Sequence, residues 1–432
     1  MADVRPFRGF RYAPEVVGDL AEVVTPPFDV ISEEAQERYY ERNPYNVIRL
    51  ELGKISPDDT ILNNRYTRAA RTLAEWRLEK VLRQDAAPAY YAYQQIFQHD
   101  GQRYTRTSLI ARVRLEPWEK HVVLRHEFTR KKDKDDRLQL LRACAVNLSP
   151  IMSMYSDPQG RIRRLLGEYL KQPEVHITDE EGEEHLLQPV TDPELIGRIH
   201  DFFVERQLYI ADGHHRYETA LNYRNEMLGM RQLAEDDAAN FVMMSLIDLD
   251  DPGLLVLPTH RLFFDLSPEV LANLTSANLA RYLTVRELER VDEDTPRELA
   301  RAGEAAPSFL LITPARSWLL SLNEQGRARM AGAGHSAAWK ELDVSIAHTL
   351  ILEELLGLQP EDLTAGKYVR YTHETGEALN AVARGQAQAA LLLNATRVRQ
   401  ICDIADADDQ MPQKSTYFYP KLTTGLVMNP LW

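Results

Sequence analysis

The stretch YIADGHHRYETAL, residues 209–221, joins a short apolar strand to the start of a helix. The apolar run ends at Asp212, and Gly213 permits a tight turn or a close approach of the backbone. His214, His215 and Arg216 follow in the first turn of an amphipathic helix. The pattern therefore predicts a strand, a tight turn and a helix, which is the building unit of α/β folds.

The same segment carries an electrostatic conflict. The unpaired N–H groups and the dipole make a helix N-terminus electropositive, and three potentially cationic side chains crowd that end here. A bound phosphate would resolve the conflict, so the segment predicts an anion site. The alternative is that Asp212 only caps the helix and that the histidines satisfy neighbouring polar groups.

Strand-like and helix-like segments alternate on both sides of this stretch, which predicts a mixed α/β fold. The pattern changes near residue 265, so we predict a domain at 1–265 and a second α/β domain at 266–432. The main predicted strands are 46–52, 89–97, 103–115, 207–212, 241–249, 308–313, 317–322, 367–373 and 389–394.

Composition limits the classes of protein. The 432 residues are 44% hydrophobic and 27% charged, as expected of a globular protein. A net charge of −14 argues against non-specific nucleic-acid binding. Cys144 and Cys402 are too few for a disulfide framework, and apolar runs stay well short of a membrane span, so we expect a cytoplasmic protein.

Several standard motifs are missing from the sequence. It contains no GxxxxGK[ST], no GxGxxG after a strand and no GxSxG. HEFTR, residues 126–130, begins like the zinc-binding helix of a protease, but Arg130 stands where the second histidine is required. P-loop, dinucleotide-binding and zinc-protease functions are therefore excluded.

A second candidate segment is RHEFTRKKDKDDR, residues 125–137. His126 and Glu127 offer a base and metal ligands, and the basic residues around them offer a cationic rim for phosphates. The alternative is a core or capping role for His126 and Glu127 and a solvated charged loop for the remainder.

Two further segments carry cations. In THR, residues 259–261, His260 and Arg261 are candidate phosphate donors, with a structural role in the core as the alternative. The aromatic residues of MPQKSTYFYPKL, 411–422, predict that the C-terminal tail docks on the protein. Its residues Lys414, Ser415, Thr416 and Lys421 are candidates for phosphate contact; alternatively the lysines only cover an acidic surface.

DGHHR at 212–216 resembles the signature of ParB/sulfiredoxin-like proteins, most nearly the form found in free-serine kinases. The chain also resembles the family named domain of unknown function 1015, in TPPFDVIS (25–32), NPYNVIRLEL (43–52), RHEFT (125–129), YIADGHHRYETA (209–220), LPTHRLF (257–263) and MPQKSTYFYPKL (411–422). The resemblance implies a ParB/sulfiredoxin-like N-terminal domain. It also implies that Gly213 to Arg216 hold phosphate oxygens and that Asp212 contacts a metal ion or the attacking hydroxyl.

Together these features predict a nucleotide-dependent phosphotransferase that acts on a small hydroxylated metabolite such as an amino acid, with ATP or ADP and Mg²⁺. The alternatives are a nucleotide-responsive binding protein and a phosphate-ester hydrolase. We expect no nucleic-acid or membrane partner, and self-association stays open. The predicted catalytic residues are Asp212, Glu127 and His126, with Asp212 also as metal ligand; the predicted cofactor-binding residues are Gly213, His214, His215, Arg216, His260, Arg261 and Lys414.

Overall fold

The computed structural model describes residues 1–129, 131–292, 294–364 and 366–432. These residues form two compact units. The first consists of Met1–Arg125, Thr129–Leu255 and Pro420–Trp432, and the second of His126–Phe128 and Val256–Tyr419. The chain is 37% helix and 26% strand, which confirms the predicted mixed α/β class. The chain passes from the first unit to the second between Leu255 and Val256, and residues Pro420–Trp432 belong to the first unit again.

The strands are β1 (Val4–Arg5), β2 (Phe10–Tyr12), β3 (Leu82–Gln84), β4 (Tyr90–His99), β5 (Gln102–Arg114), β6 (Val123–Leu124), β7 (Val146–Asn147), β8 (Ile151–Tyr155), β9 (Val175–Thr178), β10 (Glu184–Val190), β11 (Leu208–Asp212), β12 (Phe241–Asp248), β13 (Leu255–Leu257), β14 (His260–Phe263), β15 (Leu283–Leu288), β16 (Ser308–Ile312), β17 (Ser317–Leu322), β18 (Val369–Thr372), β19 (Ala389–Leu393), β20 (Tyr417–Tyr419) and β21 (Asn429–Pro430).

The α-helices are α1 (Pro14–Val17), α2 (Glu33–Arg42), α3 (Ile48–Glu51), α4 (Arg65–Leu78), α5 (Lys131–Cys144), α6 (Arg161–Tyr169), α7 (Pro193–Phe203), α8 (His214–Met230), α9 (Pro268–Leu271), α10 (Ser276–Leu279), α11 (Thr295–Ala305), α12 (Glu324–Ala331), α13 (Ala337–Lys340), α14 (Asp343–Ile346), α15 (Pro360–Thr364), α16 (Thr375–Ala383) and α17 (Val398–Asp406). A π-helix, Ala347–Leu355, continues α14. Short 3₁₀-helices lie at Leu20–Glu22, Phe28–Val30, Trp118–Lys120 and Ala238–Asn240. Within the described residues, no helix is both long and apolar enough to cross a membrane.

A mixed sheet organises the first unit. Its strand order is β6-β11-β8-β12-β5-β4-β10-β9, with β1 paired to β5. The FVMMSLID run of β12 is buried along its whole length, as expected for a central strand. β11 pairs with β6 and β8, and α8 packs its buried Tyr217 and Ala220 into the same apolar core as the sheet. This packing fixes the junction between β11 and α8, which holds the predicted anion site.

The predicted strand at 46–52 is wrong, because this segment contains the short helix α3. Its β-branched residues favour a strand locally, but tertiary hydrogen bonds of Asn46 override that preference. The Asn46 side chain accepts a 2.9 Å hydrogen bond from Ile48 N and donates a 2.7 Å hydrogen bond to Glu22 O. These bonds start a turn where the pattern predicted an extended chain.

The second unit contains a six-stranded sheet in the described residues, ordered β15-β17-β16-β19-β14-β18. All its pairings are antiparallel. The strands predicted at 308–313, 317–322 and 389–394 correspond to β16, β17 and β19, and α11 and α16 bury apolar residues against the sheet.

Candidate functional site

The turn between β11 and α8 has a backbone that requires glycine. Gly213 adopts φ 101° and ψ 27°, a left-handed conformation, and α8 begins at the next residue. A Cβ atom at this position would lie 3.0 Å from both Nε and Nη2 of Arg216. The Arg216 guanidinium therefore packs directly over the turn.

Asp212 does not cap α8. The N-cap residue is Gly213, and no side chain accepts a hydrogen bond there. The Asp212 carboxylate instead accepts hydrogen bonds from two cations, at 3.0 Å from Lys421 Nζ to Oδ1 and at 3.3 Å from Arg216 Nη2 to Oδ2. The capping alternative from the sequence thus fails, because both carboxylate oxygens face charged donors.

The cations keep Asp212 ionised. Burial alone would raise the pKa of this carboxyl, but Lys421 and Arg216 outweigh it and hold the pKa well below its usual range. The Asp212, Arg216 and Lys421 side chains are 23%, 14% and 11% exposed, so water screens this cluster incompletely. At neutral pH Asp212 is an anionic hydrogen-bond acceptor.

Arg216 is anchored on its far side as well. Its Nη1 donates to the Pro150 carbonyl at 2.6 Å and to Ser149 Oγ at 3.2 Å. His214 is buried and His215 is half-buried in the first turn of α8. The five residues of the DGHHR motif thus span the end of β11, the glycine turn and the start of α8.

A cavity of about 50 Å³ adjoins Arg216 and Ser149. Glu51, Arg137 and Thr219 contribute polar groups to its lining, and the other lining side chains are mostly apolar. Arg137 Nη1 lies 3.5 Å from Glu51 Oε1, and both residues are buried. Thr219 Oγ1 is buried without a hydrogen-bond partner among the described residues. The cavity therefore offers a paired anion and cation and an unsatisfied hydroxyl.

A buried polar network extends from Lys421 across the sheet. Gln95 Nε2 donates to the Lys421 carbonyl at 3.0 Å, and Arg106 donates to Gln95 Oε1 and, at 2.7 Å, to the Pro420 carbonyl. Gln95 stands opposite Arg106 on β5 and opposite His185 on β10, so the three side chains share one face of the sheet. Burial lowers the pKa of Arg106.

His126 and Glu127 belong to the second unit, whereas Asp212 belongs to the first. His126 is buried and its carbonyl accepts a 2.8 Å hydrogen bond from Met411 N. Thr416 Oγ1 lies 3.5 Å from His126 Nε2, and Glu127 pairs with Met411 in an isolated bridge. The tail segment around Met411 is therefore ordered against these residues. Joint action of Glu127 and Asp212 stays a prediction.

His260 has structural partners at both ring nitrogens. Nε2 lies 3.0 Å from Thr375 Oγ1, and Nδ1 accepts a 3.2 Å hydrogen bond from Leu393 N. Burial lowers the pKa of His260 to about 4, so the ring is neutral at physiological pH. This environment favours the structural alternative over phosphate donation.

Arg261 is also buried in the second unit. It donates to the Thr259 carbonyl and, at 3.5 Å, to the Lys414 carbonyl, and burial lowers its pKa to about 10. Lys414 itself is exposed and left-handed, at φ 58°. The contact between Arg261 and Lys414 is therefore made by the Arg261 guanidinium and the main-chain carbonyl of Lys414.

The charged run after Glu127 is only partly a solvated loop. Thr129 Oγ1 and Lys134 Nζ donate hydrogen bonds to Glu218 Oε2 of α8, at 2.6 and 2.7 Å. Arg125 Nη1 lies 3.4 Å from Glu218 Oε1. Arg130 lies outside the described residues.

Sequence reasoning named Lys421 only among the tail candidates and missed Gln95 and Arg106. Strand register brings these residues together, and a single sequence does not reveal it.

The chain belongs to the family described as "Protein of unknown function (DUF1015)", which residues 4–345 match; this confirms the family resemblance. No curated protein matches it. Similar solved structures include free serine kinase in complex with AMP, at 13% identity and a TM-score of 0.38, over 74% of this chain and 92% of that one. A conserved hypothetical protein from Pyrococcus furiosus matches at 13% identity and 0.36, over 74% and 95%. SbnI with C-terminal truncation from Staphylococcus aureus matches at 10% and 0.35, over 74% and 87%.

Proposed function

We propose that the chain is a nucleotide-dependent phosphotransferase that acts on a small hydroxylated metabolite such as an amino acid. One observation carries the proposal: Lys421 and Arg216 converge on the turn at the N-terminus of α8, where Asp212 is an ionised carboxylate rather than a cap. A helix N-terminus with two adjacent cations is suited to phosphate oxygens.

The turn supplies what phosphoryl transfer demands of a protein, namely positioning and charge stabilisation. The first-turn N–H groups of α8, Arg216 and Lys421 hold the terminal phosphate of ATP or ADP. Asp212 accepts a hydrogen bond from the substrate hydroxyl and orients its oxygen toward phosphorus. The new P–O bond forms to that oxygen while the bond from phosphorus to the bridging oxygen of the nucleotide breaks, the leaving nucleotide keeps the electron pair, and the hydroxyl proton passes to water.

Mg²⁺ would neutralise phosphate charge if it entered with the nucleotide. Asp212 does not suit the predicted role of metal ligand in this arrangement, because both of its oxygens already bind cationic side chains.

The cavity beside Arg216 presents groups of both signs, as recognition of a zwitterion requires, and at about 50 Å³ it has to widen to admit an amino acid. Glu51 would bind the ammonium group of the ligand, and Arg137 its carboxylate. These contacts would replace part of the ion pair between Glu51 and Arg137. Thr219 Oγ1 supplies a further polar contact. Because Arg216 adjoins both the cavity and the turn, a substrate in the cavity would face the phosphate.

Calorimetric titration of ATP and ADP tests the phosphate site. Arg216→Ala should weaken binding by about 1.5–3 kcal/mol, the range for a charge-assisted contact. The control is Lys171→Ala, because Lys171 is an exposed lysine of the same unit that pairs with exposed Glu168. Equal affinity in folded Arg216→Ala and wild type would refute the site.

Turnover separates phosphotransfer from the alternatives. Phosphorus NMR of protein with nucleotide, Mg²⁺ and a panel of hydroxylated amino acids should show a new phosphoester. Phosphate release without an acceptor would instead indicate a hydrolase, and binding without turnover a nucleotide-responsive protein.

A further inference from the structure

The hairpin of β9 and β10 brings three metal-ligating side chains together away from the turn described above. Asp179, Glu183 and His185 each present one ligand atom within 4.8 Å of the others. His185 Nε2 lies 2.9 Å from Asp179 Oδ2. Ligands about 2.0–2.2 Å from a tetrahedral ion lie about 3.3–3.6 Å from one another, so small rotations of these side chains bring all three atoms to a common ion. The spacing thus suits one cation held between a ring nitrogen and two carboxylates.

Two carboxylates and a buried imidazole meet at this cluster, where burial makes uncompensated negative charge costly. His185 is fully buried and Glu183 is only 9% exposed. Among the described residues, the only hydrogen bond to the Glu183 carboxylate comes from Gln95 Nε2 to Oε2, at a long 3.5 Å, and Oε1 receives none. Asp179 adds a second negative charge within reach. A buried carboxylate beside another is costly unless a cation compensates it.

The neighbouring groups orient these side chains as ligands. Asp179 Oδ1 accepts hydrogen bonds from Glu181 N at 3.1 Å and Glu183 N at 2.9 Å, which leaves Oδ2 directed at His185. Tyr93 Oη lies 2.8 Å from His185 Nδ1. An ion on Nε2 would place the ring proton on Nδ1, where Tyr93 accepts it, and such support is usual for metal-binding histidines.

We propose that Asp179, Glu183 and His185 bind a divalent transition-metal ion, with Zn²⁺ the best match. An imidazole ligand disfavours Mg²⁺ and Ca²⁺, which prefer oxygen alone. The site joins the hairpin to the C-terminal segment, because Thr423 Oγ1 lies 3.2 Å from His185 Nδ1. Gln95 connects Glu183 to the main chain of Lys421, but the metal ligands are not residues of the proposed phosphate turn, and the proposal does not depend on that function.

The test is zinc binding by the full-length protein after dialysis against EDTA, measured in competition with a chromogenic chelator. Wild type should bind one ion per chain at this site. His185→Gln and Glu183→Gln should each lower the affinity at least about 100-fold, since even supporting residues contribute about 10–100-fold. The control is His176→Gln on β9, because His176 is exposed and lies 3.1 Å from a carboxylate oxygen of Glu184.

The same titration with Co²⁺ adds a spectroscopic readout, because the visible bands of the ion report its ligands. Loss of these bands in Glu183→Gln, with unchanged circular dichroism, would support the site even if His185→Gln fails to fold. Absence of binding by wild type would overturn the proposal. Equal binding by wild type and Glu183→Gln, or a loss confined to His176→Gln, would also overturn it.

Discussion

Replacement of Gly213 by alanine tests the contact on which the candidate site depends. The substitution forces a side chain into the left-handed backbone region at φ 101°. It also places a Cβ atom 3.0 Å from Nε and Nη2 of Arg216, so the guanidinium must move. Movement weakens the bonds of Arg216 to Pro150 O and Asp212.

The two effects have different magnitudes. Left-handed backbone costs an alanine about 1–2 kcal/mol. Loss of charged hydrogen bonds by Arg216 adds about 1.5–3 kcal/mol. We therefore expect Gly213→Ala to lower the free energy of unfolding by about 2.5–5 kcal/mol and to weaken ATP binding about as much as Arg216→Ala does.

Gly101 provides a matched control. It has φ 74° in the β4–β5 hairpin, and a Cβ atom there would meet nothing within 4 Å. Gly101→Ala should cost only the backbone part, about 1–2 kcal/mol in urea unfolding, and leave nucleotide affinity unchanged. In an Arg216→Ala background the cost of Gly213→Ala should fall to the same value. Equal effects of Gly213→Ala and Gly101→Ala on stability and affinity would refute the reasoning.

Two further predictions concern pH. Because the pKa of Asp212 is held low, its ion pairs stabilise the fold above the unfolded pKa of about 3.9 and are lost as pH falls through the lower folded value. Lys421→Met should lower stability at pH 7 by about 2 kcal/mol and reduce that acid dependence; an unchanged urea midpoint would contradict this. The pKa of His260 is about 4 in the folded protein and about 6.5 in the unfolded chain, so the unfolded chain binds a proton first as the pH falls. The free energy of unfolding should therefore decrease by up to about 3 kcal/mol between pH 6.5 and pH 4. His260→Gln should flatten that slope in urea unfolding, and an identical slope would contradict the assignment.

Local patterns predicted the β11–α8 junction because its determinants are adjacent in the chain. An apolar run, a glycine and a polar helical segment each specify their own conformation. The segment at 46–52 shows the limit of this approach, since Asn46 bonds to Glu22, a contact that no local pattern encodes.

The side chains around the hairpin of β9 and β10 could not be predicted for a related reason. In the sequence, ITDEEGEEH at 177–185 resembles a solvated acidic loop. The register of β10 with β4 instead buries His185 beside Tyr93, and the turn folds Asp179 back onto it. Burial of a charged loop depends on the strand beside it, which periodicity alone does not identify.

The position of Lys421 changes how the DGHHR motif is interpreted. From the sequence, the cations of this motif conflict with the helix N-terminus, and the alternative to a bound phosphate is that Asp212 caps the helix. In the structure Asp212 is already bound by Arg216 and by Lys421, a residue 209 positions away. The Asp212 carboxylate therefore does not cap the helix. It binds Lys421 and so holds a further cation at the turn. Arg216 and Lys421 thus stand beside one carboxylate at a helix N-terminus, which is the arrangement for which we propose an anionic ligand.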